Sequence, residues 1–271
     1  MDPLFTFDGK TAIVTGGMGQ LGLAYVTALL ERGAKVAVFD TVAAPRHPFA
    51  GFQDAVDQGR LLPLVVDITD RAALQAATDA VERALGVPAV LVNNAALDSP
   101  PNAPAGENGP FEDYPEDSFD QVMAVNVKGT MLCCQVVGAR MAKAGRGSII
   151  NISSIYGILS PNQDIYEYRR QRGEEFYKPV AYSVSKSAVL NLTRYLATYW
   201  GRSGVRVNTL TLSGIFNNQP AEFLDAYCSR MPMGRMMECN EVIGPMLFLA
   251  SDASSYMTGS NLVVDGGWSA W

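Results

Sequence analysis

Short apolar runs alternate along the chain with longer segments in which apolar residues recur every three or four positions. A short apolar run indicates a buried strand, whereas the longer period indicates a helix that packs on one side. The pattern predicts seven strands, at residues 11–15, 35–39, 61–66, 90–92, 148–152, 206–210 and 262–264. It predicts helices at residues 21–32, 71–85, 118–143, 180–200 and 241–251.

The order of these elements predicts an α/β fold. Several predicted strands are apolar throughout rather than alternating, which is expected when helices cover both faces of a parallel sheet. Regular alternation of strand and helix implies right-handed crossovers and a doubly wound sheet. We therefore expect a single domain over residues 1–271 with a mostly parallel seven-stranded sheet. Residues 98–114 and 161–178 interrupt the rhythm and are expected to be loop insertions.

The composition narrows the classes of function. Hydrophobic residues make up 48% of the chain and charged residues 18%, as in globular proteins. The net charge of −6 disfavours nucleic acid as a partner. We see no apolar run near the roughly 18 residues that span a membrane and no signal peptide, so we expect a cytoplasmic protein. One histidine, His47, and four cysteines without a C-x-x-C pair predict no metal site.

A glycine-rich turn, TGGMGQLG, runs from Thr15 to Gly22 directly after the first predicted strand. Its G-x-G-x-x-G spacing suits a tight turn, a close approach of the backbone to a pyrophosphate, and a helix start that points N–H groups at phosphate. Asp40 lies 18 residues after Gly22, at the end of the second strand. A carboxylate there can accept hydrogen bonds from the ribose hydroxyls of NAD and repel the 2′-phosphate of NADP. NAD is therefore favoured over NADP, although Asp40 could instead cap the next segment.

The second motif is YSVSK, from Tyr182 to Lys186. Residues four apart share a helix face, so the phenol and the ammonium are expected to be neighbours. A nearby positive charge favours the phenolate and lowers the pKa of Tyr182 toward neutral pH. Such a tyrosine can exchange a proton with an alcohol or carbonyl oxygen. The spacing also occurs by chance in helices, so it carries weight only together with the other motifs.

These motifs, with NNA at residues 93–95, NVKG at 126–129, INISSIYG at 150–157 and VDGG at 264–267, occur in order along the chain. The combination resembles the short-chain dehydrogenase/reductase family over essentially the whole length. The resemblance implies a single Rossmann-type domain, a nicotinamide cofactor, and the interconversion of an alcohol and a ketone. The glycine spacing is closer to the extended branch of that family. Only 85 residues follow Lys186, however, which is too few for a second domain and favours the compact branch.

The resemblance also implies roles for individual residues. Tyr182 would be the acid/base, and Lys186 would lower its pKa and hold the nicotinamide ribose. Ser154, rather than Ser153, would hydrogen-bond the substrate oxygen, and Asn126 would support a water-linked proton path. Together with Tyr182 and Lys186, the implied cofactor-binding residues are Gly16, Met18, Gln20, Leu21, Asp40, Asp67, Ile68, Asn94, Ala95, Ile215 and Asn217. The sequence departs from the family where Leu212 and Ser213 replace the usual Pro-Gly.

The segment at 161–178 lengthens the distance between Ser154 and Tyr182, which are 28 residues apart, about twice the separation common in the family. Because its ends are anchored near both residues, the insertion must lie near the substrate pocket. It could be a lid whose tyrosines and arginines select a polar or anionic substrate. It could equally be a solvated or subunit-contacting loop, since its acidic and basic residues balance.

The stretches SVSKSAVLNLTRYLATYWG, GIFNNQ and DGGWSAW resemble family members that act on sugars, sugar acids or sugar nucleotides. We therefore predict an NAD-dependent oxidoreductase that interconverts a secondary alcohol and a ketone on a small molecule of this kind. One alternative is a ketoreductase for a bulkier acyl or secondary-metabolite ketone, with Met231, Met233, Met236 and Met237 lining an apolar pocket. Another is a non-catalytic dinucleotide sensor. The resemblance implies a homodimer or homotetramer formed through the helices at 118–143 and 180–200.

Overall fold

The computed structural model describes residues 2–99 and 104–271. Seven strands form one sheet in the order β3-β2-β1-β4-β5-β6-β7, and all neighbouring strands are parallel. The strands are β1 (Thr11–Thr15), β2 (Lys35–Asp40), β3 (Leu61–Val65), β4 (Pro88–Asn93), β5 (Gly147–Ser154), β6 (Val205–Leu212) and β7 (Asn261–Val264). The predicted doubly wound α/β fold is confirmed.

Helices cover both faces of this sheet. They are α1 (Gln20–Glu31), α2 (Phe52–Asp57), α3 (Arg71–Leu85), α4 (Glu116–Lys143), α5 (Glu167–Arg170), α6 (Val180–Trp200), α7 (Ala221–Cys228) and α8 (Ile243–Ala250). Consecutive residues of β1 face opposite sides. Ala12 and Val14 pack in a core with α1 and α8, whereas Ile13 packs in a second core with α3, α4 and α6.

The predicted boundaries agree closely with the structure for the buried elements. Helices α3 and α6 begin and end at the predicted residues, and every predicted strand is present. Helix α2 was not predicted because its six residues, FQDAVD, are too short to show a helical period.

One helix is apolar over much of its length, although charged residues such as Lys128 and Arg140 interrupt its apolar runs. Helix α4 is long and apolar enough, by length and composition alone, to cross a membrane, and 56% of its most apolar window is buried inside the protein. It packs in the core with α3 and α6, and Leu132, Val136 and Met141 are buried there. Core helices of water-soluble domains show the same burial.

The two predicted loop insertions, at residues 98–114 and 161–178, contain short helical turns. In the first, Ala105–Asn108 and Phe111–Asp113 form 3₁₀ helices, while residues 100–103 lie outside the described part of the chain. In the second, the 3₁₀ helix Gln163–Tyr166 leads into α5. A third apolar cluster, which includes Tyr166, Phe176 and Phe223, packs this insertion onto α7. The insertion is therefore anchored to the body of the protein rather than freely solvated.

The strand order reverses between β1 and β4. From β1 the sheet extends through β2 to β3 at one edge, and from β4 it extends through β5 and β6 to β7 at the other edge. In doubly wound folds, ligands bind at this switch point, beyond the carboxyl ends of the strands. The glycine-rich turn after β1, Asp40 at the end of β2 and Ser154 at the end of β5 all lie along that edge. The sheet therefore gathers the predicted cofactor and catalytic residues at one place.

Candidate active site

The glycine-rich turn is packed so closely that side chains are excluded at two positions. Gly16 has a φ of 62°, and a Cβ atom there would lie 2.8 Å from Cα of Ala95. A Cβ atom on Gly22 would overlap the carbonyl oxygen of Gly16 and lie 2.6 Å from Cα of Gly17. Helix α1 begins after Gly19, which provides no side-chain cap for the first N–H groups. The turn therefore fits the pyrophosphate of a dinucleotide, which those N–H groups can bind.

Asp40 is buried and its two carboxylate oxygens are both engaged. Oδ2 accepts a hydrogen bond from the N–H of Met18 at 3.0 Å. Oδ1 accepts from the N–H of Val42 at 3.3 Å and from Nη2 of Arg46 at 3.1 Å. The capping alternative is thus partly correct, because Asp40 does hold the segment that follows it. The motifs did not identify Arg46, which places a half-exposed guanidinium beside the carboxylate.

Two of the remaining predicted cofactor residues, Asn94 and Ala95, contact the same turn. The Thr15 hydroxyl accepts hydrogen bonds from the N–H groups of Asn94 and Ala95, both at 3.0 Å. The Asn94 amide donates back to the carbonyl groups of Thr15 and Gly16. Asp67 is exposed and holds the Thr69 turn at 2.8 Å. Ile68 is buried, and Leu21 lines the cavity that also contains Ser154 and Tyr182. The side chain of Gln20 donates a hydrogen bond to the Phe216 carbonyl, and the N–H of Asn217 donates to the side chain of Gln219.

The two adjacent serines at the end of β5 have different environments. Ser153 donates a hydrogen bond from Oγ to the carbonyl of Lys186 at 2.9 Å, which ties β5 to α6. Ser154 Oγ accepts from the N–H of Tyr156 at 3.2 Å, and its hydroxyl lies beside the phenol of Tyr182. Both serines line a cavity of about 370 Å³ that also contains Tyr182. The Ser153 hydroxyl is therefore committed to α6, whereas the Ser154 hydroxyl is not.

Tyr182 and Lys186 are neighbours on α6, as predicted. The ammonium of Lys186 lies 5.6 Å from the centre of the Tyr182 ring and donates to the carbonyl of Ile152 at 2.9 Å. Burial lowers the pKa of Lys186 to about 8. Burial also raises the pKa of Tyr182, the carboxylate of Asp98 adds to this effect, and the Ser154 hydroxyl opposes it. The expected lowering of the Tyr182 pKa by Lys186 is therefore wrong, because desolvation of the phenol dominates.

The burial of Lys186 predicts a specific pH dependence of stability. Between pH 8 and its ordinary pKa of 10.5, Lys186 is protonated in the unfolded chain but loses its proton in the folded protein. The unfolded state then binds more protons, so the free energy of unfolding should rise with pH in this window, by about 1 to 3 kcal/mol in total. Denaturant unfolding of the wild type and of Lys186→Met should show this gain in the wild type relative to the variant. If the difference in the free energy of unfolding between the two proteins did not change with pH, the burial of the Lys186 ammonium would be contradicted.

Asn126 lies in a π-helical segment of α4, Ala124–Gly129. Its side chain accepts from the N–H of Leu97 at 2.7 Å and donates to the Leu97 carbonyl at 2.8 Å. It also donates to Ser185 at 2.9 Å, and Ser185 in turn donates to the carbonyl of Tyr182. Asn126 therefore fixes the start of the first insertion and the helix that carries Tyr182. Segments of π-helix of this kind are frequent at functional sites.

The cavity beside Tyr182 is lined by residues from both insertions and from α7. Lys178 and Asp98 form an ion pair there, and Tyr156, Tyr166 and Tyr227 form much of the wall. Asp98 and Tyr227 were missed at the sequence level, because no local pattern marks either residue. Of the four methionines considered for an apolar pocket, Met236 lines the cavity, whereas Met233 is 60% exposed.

The segment that replaces Pro-Gly also borders the cavity. Leu212 and Ser213 both line it, and Ser213 Oγ is buried with no hydrogen-bond partner among the described residues. The carbonyl of Ile215 accepts from the side chain of Gln219 at 2.9 Å. An unpaired buried hydroxyl is costly, and a hydrogen bond to a molecule in the cavity would remove that cost for Ser213.

This arrangement is that of a Rossmann-fold oxidoreductase that uses a nicotinamide dinucleotide. The chain belongs to the short-chain dehydrogenase/reductase family, and a family model described as Enoyl-(Acyl carrier protein) reductase matches residues 17–269. The chain is 33% identical to D-threitol dehydrogenase of Mycolicibacterium smegmatis, over 97% of this chain and 94% of the relative. It is 31% identical to gluconate 5-dehydrogenase of Gluconobacter oxydans, over 97% and 96% of the two chains.

Two similar proteins with solved structures are also dehydrogenases. A gluconate 5-dehydrogenase from Burkholderia cenocepacia in complex with NADP and tartrate has a TM-score of 0.83 and 28% identity, covering 99% of this chain and 98% of that one. A short-chain dehydrogenase from Leptospira borgpetersenii with bound NAD⁺ has a TM-score of 0.83 and 31% identity, covering 97% and 94%. Similar proteins thus bind either dinucleotide, and several of them oxidise sugar acids or polyols by name.

Proposed function

We propose that the protein oxidises a secondary hydroxyl of a polyol or sugar derivative to a ketone, and reduces the ketone in the reverse direction. The observation that carries this proposal is the shared cavity of Ser154 and Tyr182, with Lys186 beneath them and the phosphate turn alongside. We propose further that residues 1–271 act as one unit, because the motifs for cofactor and substrate border the same edge of the sheet.

In this proposal, Ser154 donates its hydroxyl proton to the substrate oxygen and holds that oxygen beside Tyr182. Tyr182 accepts the substrate hydroxyl proton during oxidation and returns it during reduction. A bound nicotinamide would supply the hydride acceptor for the carbinol carbon, and its positive charge would favour the Tyr182 phenolate. Lys186 places a second positive charge below the ring, and Asn126 holds α6 in position through Ser185.

We propose NAD as the preferred cofactor, with Asp40 receiving the adenosine ribose. The same carboxylate opposes a 2′-phosphate, but Arg46 beside it offers that phosphate a partner. The choice between NAD and NADP would then depend on the Asp40–Arg46 ion pair rather than on Asp40 alone. The residues predicted to complete the dinucleotide site are Gly16, Met18, Gln20, Leu21, Asp67, Ile68, Asn94, Ala95, Ile215 and Asn217.

Arg46→Gln tests the proposed role of the pair. We expect the affinity for NADPH to fall about tenfold, because a charge-assisted hydrogen bond is lost, while the affinity for NADH changes much less. Fluorescence titration of each reduced cofactor measures both affinities directly. Arg83→Gln is the matched control, since Arg83 is exposed on α3. An equal loss for both cofactors would show that Arg46 supports the loop without discriminating between them.

The proposed activity is tested by following reduced nicotinamide with NAD and NADP in parallel, across threitol, arabinitol, xylitol, galactitol, gluconate and secondary alcohols without further hydroxyl groups. We expect turnover with at least one polyhydroxylated compound and a preference for NAD. Turnover only with apolar alcohols or their ketones would favour the ketoreductase alternative. Intact cofactor binding without any turnover would favour a dinucleotide sensor. The cytoplasmic location and the homodimer or homotetramer remain predictions.

A further inference from the structure

Both insertions meet at one ion pair above the catalytic tyrosine. Lys178 ends the segment at 161–178, and Asp98 begins the segment at 98–114, so the pair joins residues 80 positions apart. Both side chains line the cavity that contains Ser154 and Tyr182. The Lys178 ammonium lies 5.3 Å from the centre of the Tyr182 ring. The Lys178 side chain is 13% exposed and that of Asp98 is 57% exposed, so the pair faces the cavity mouth.

The arginines of the second insertion bond elsewhere. Arg169 pairs with Glu174 at 2.7 Å, and Arg172 pairs with Glu222 of α7. Arg170 pairs with Glu167 at 2.7 Å and also donates to the carbonyl groups of Phe176 and Gln163. Each guanidinium thus already has an acidic partner within the insertion or on α7. The hypothesis of a lid whose arginines capture an anionic substrate loses its main support.

The charges on the residues that line the cavity balance each other, apart from the buried Lys186 ammonium beside the Tyr182 ring. Among the described residues that line the cavity, Lys178 is the one cation and Asp98 is the one anion. A substrate carboxylate near Lys178 would have to displace Asp98 or accept its repulsion at close range. A neutral substrate with several hydroxyl groups faces no such cost, because Asp98 can accept from one hydroxyl while Lys178 donates to the next. The tyrosines of the wall offer apolar faces to its C–H groups.

We propose that the Asp98–Lys178 ion pair is a substrate-recognition element that selects neutral polyols over sugar acids by binding the hydroxyl groups next to the reacting carbon. This inference rests on the proposed function and narrows its substrate class. Asp98 sets the selectivity, because it neutralises Lys178 and places a negative charge where a substrate carboxylate would otherwise bind. Removing the carboxylate of Asp98 should leave a free ammonium at the cavity and attract anions.

The test compares kcat/KM for galactitol, arabinitol and threitol with kcat/KM for gluconate, in the wild type and in Asp98→Asn. We expect the wild type to favour the best polyol by about tenfold or more, and Asp98→Asn to shift the ratio toward gluconate by about tenfold, the worth of one charged hydrogen bond. Lys178→Met should raise KM for the polyol without a gain for gluconate. Asp117→Asn is the control with the same charge change, since Asp117 is exposed on α4 and does not line the cavity.

A change in the ratio distinguishes recognition from damage to the fold, because misfolding lowers the rates for both substrates together. A wild type that oxidises gluconate better than every polyol would overturn this inference while leaving the proposed oxidation of sugar derivatives intact. An unchanged ratio in Asp98→Asn would also overturn it. Failure of the wild type with all of these compounds, with either cofactor, would overturn the proposed function and this inference with it.

Discussion

Replacing Tyr182 with phenylalanine should lower kcat for the oxidation by about a thousandfold or more, within the range that a positioned acid/base contributes. The ring is retained, so its packing in the cluster with Tyr156 and Tyr166 should persist. The lost hydroxyl is the group that exchanges the proton with the substrate, and no neighbouring side chain replaces it at the same point. Steady-state kinetics with NAD and the best polyol measures the loss.

Tyr182→Phe should leave the fold unchanged and NADH binding nearly intact, and titration with NADH checks this in the same preparation. Tyr199→Phe is the matched control on the same helix, because Tyr199 is 67% exposed and lies far along α6 from the cavity. We expect the control to retain the wild-type rate. Wild-type turnover by Tyr182→Phe would rule out its role as the acid/base.

Replacing Gly22 with alanine should disrupt the dinucleotide site. The added Cβ atom would overlap the carbonyl of Gly16 and the backbone of Gly17, so the phosphate turn must move away from α1. Overpacking of this kind costs about 1 to 3 kcal/mol of folding free energy. We expect the affinity for NADH to fall about tenfold or more, equivalent to about 1.4 kcal/mol, because the N–H groups at the start of α1 no longer converge on the pyrophosphate.

Gly244→Ala provides the comparison for Gly22→Ala. Gly244 lies in α8, and nothing lies within 4 Å of the Cβ atom that alanine would add. Alanine there should stabilise the protein by about 0.5 kcal/mol, because glycine is the poorer helix former. Denaturant unfolding and NADH titration of both variants separate a loss of NADH affinity from a change in the stability of the whole protein. Wild-type NADH affinity in Gly22→Ala would contradict the placement of the pyrophosphate.

The sequence was sufficient to predict the fold and much of the site, because the signals are local. Strands such as Thr11–Thr15 are short and apolar, and α6 carries a clear helical period over its whole length. The conformation of the glycine-rich turn could be predicted from its own residues, since only glycine tolerates the contact between Gly16 and Ala95. Tyr182 and Lys186 are neighbours through helix periodicity alone.

The remaining features depend on contacts between distant segments. Asp98 meets Lys178 across 80 residues, and nothing near Asp98 indicates that partner. Arg46 reaches Asp40 through a loop whose conformation has no sequence pattern. The pKa of Tyr182 was predicted in the wrong direction because the spacing shows Lys186 but not the burial of the phenol or the approach of Asp98. In the proposals above, these features determine cofactor and substrate choice, and the sequence alone did not identify them.

The most direct test of the central claim is the transfer of deuterium from substrate to cofactor. The wild type is incubated with NAD and a polyol labelled at its secondary carbinol carbons, and both products are analysed by nuclear magnetic resonance. We predict that a ketose and deuterated NADH appear in equal amounts, because the hydride comes from the carbon whose hydroxyl proton passes to Tyr182. NADH without deuterium, or no ketose with any labelled polyol, would contradict the oxidation of a secondary alcohol at this site.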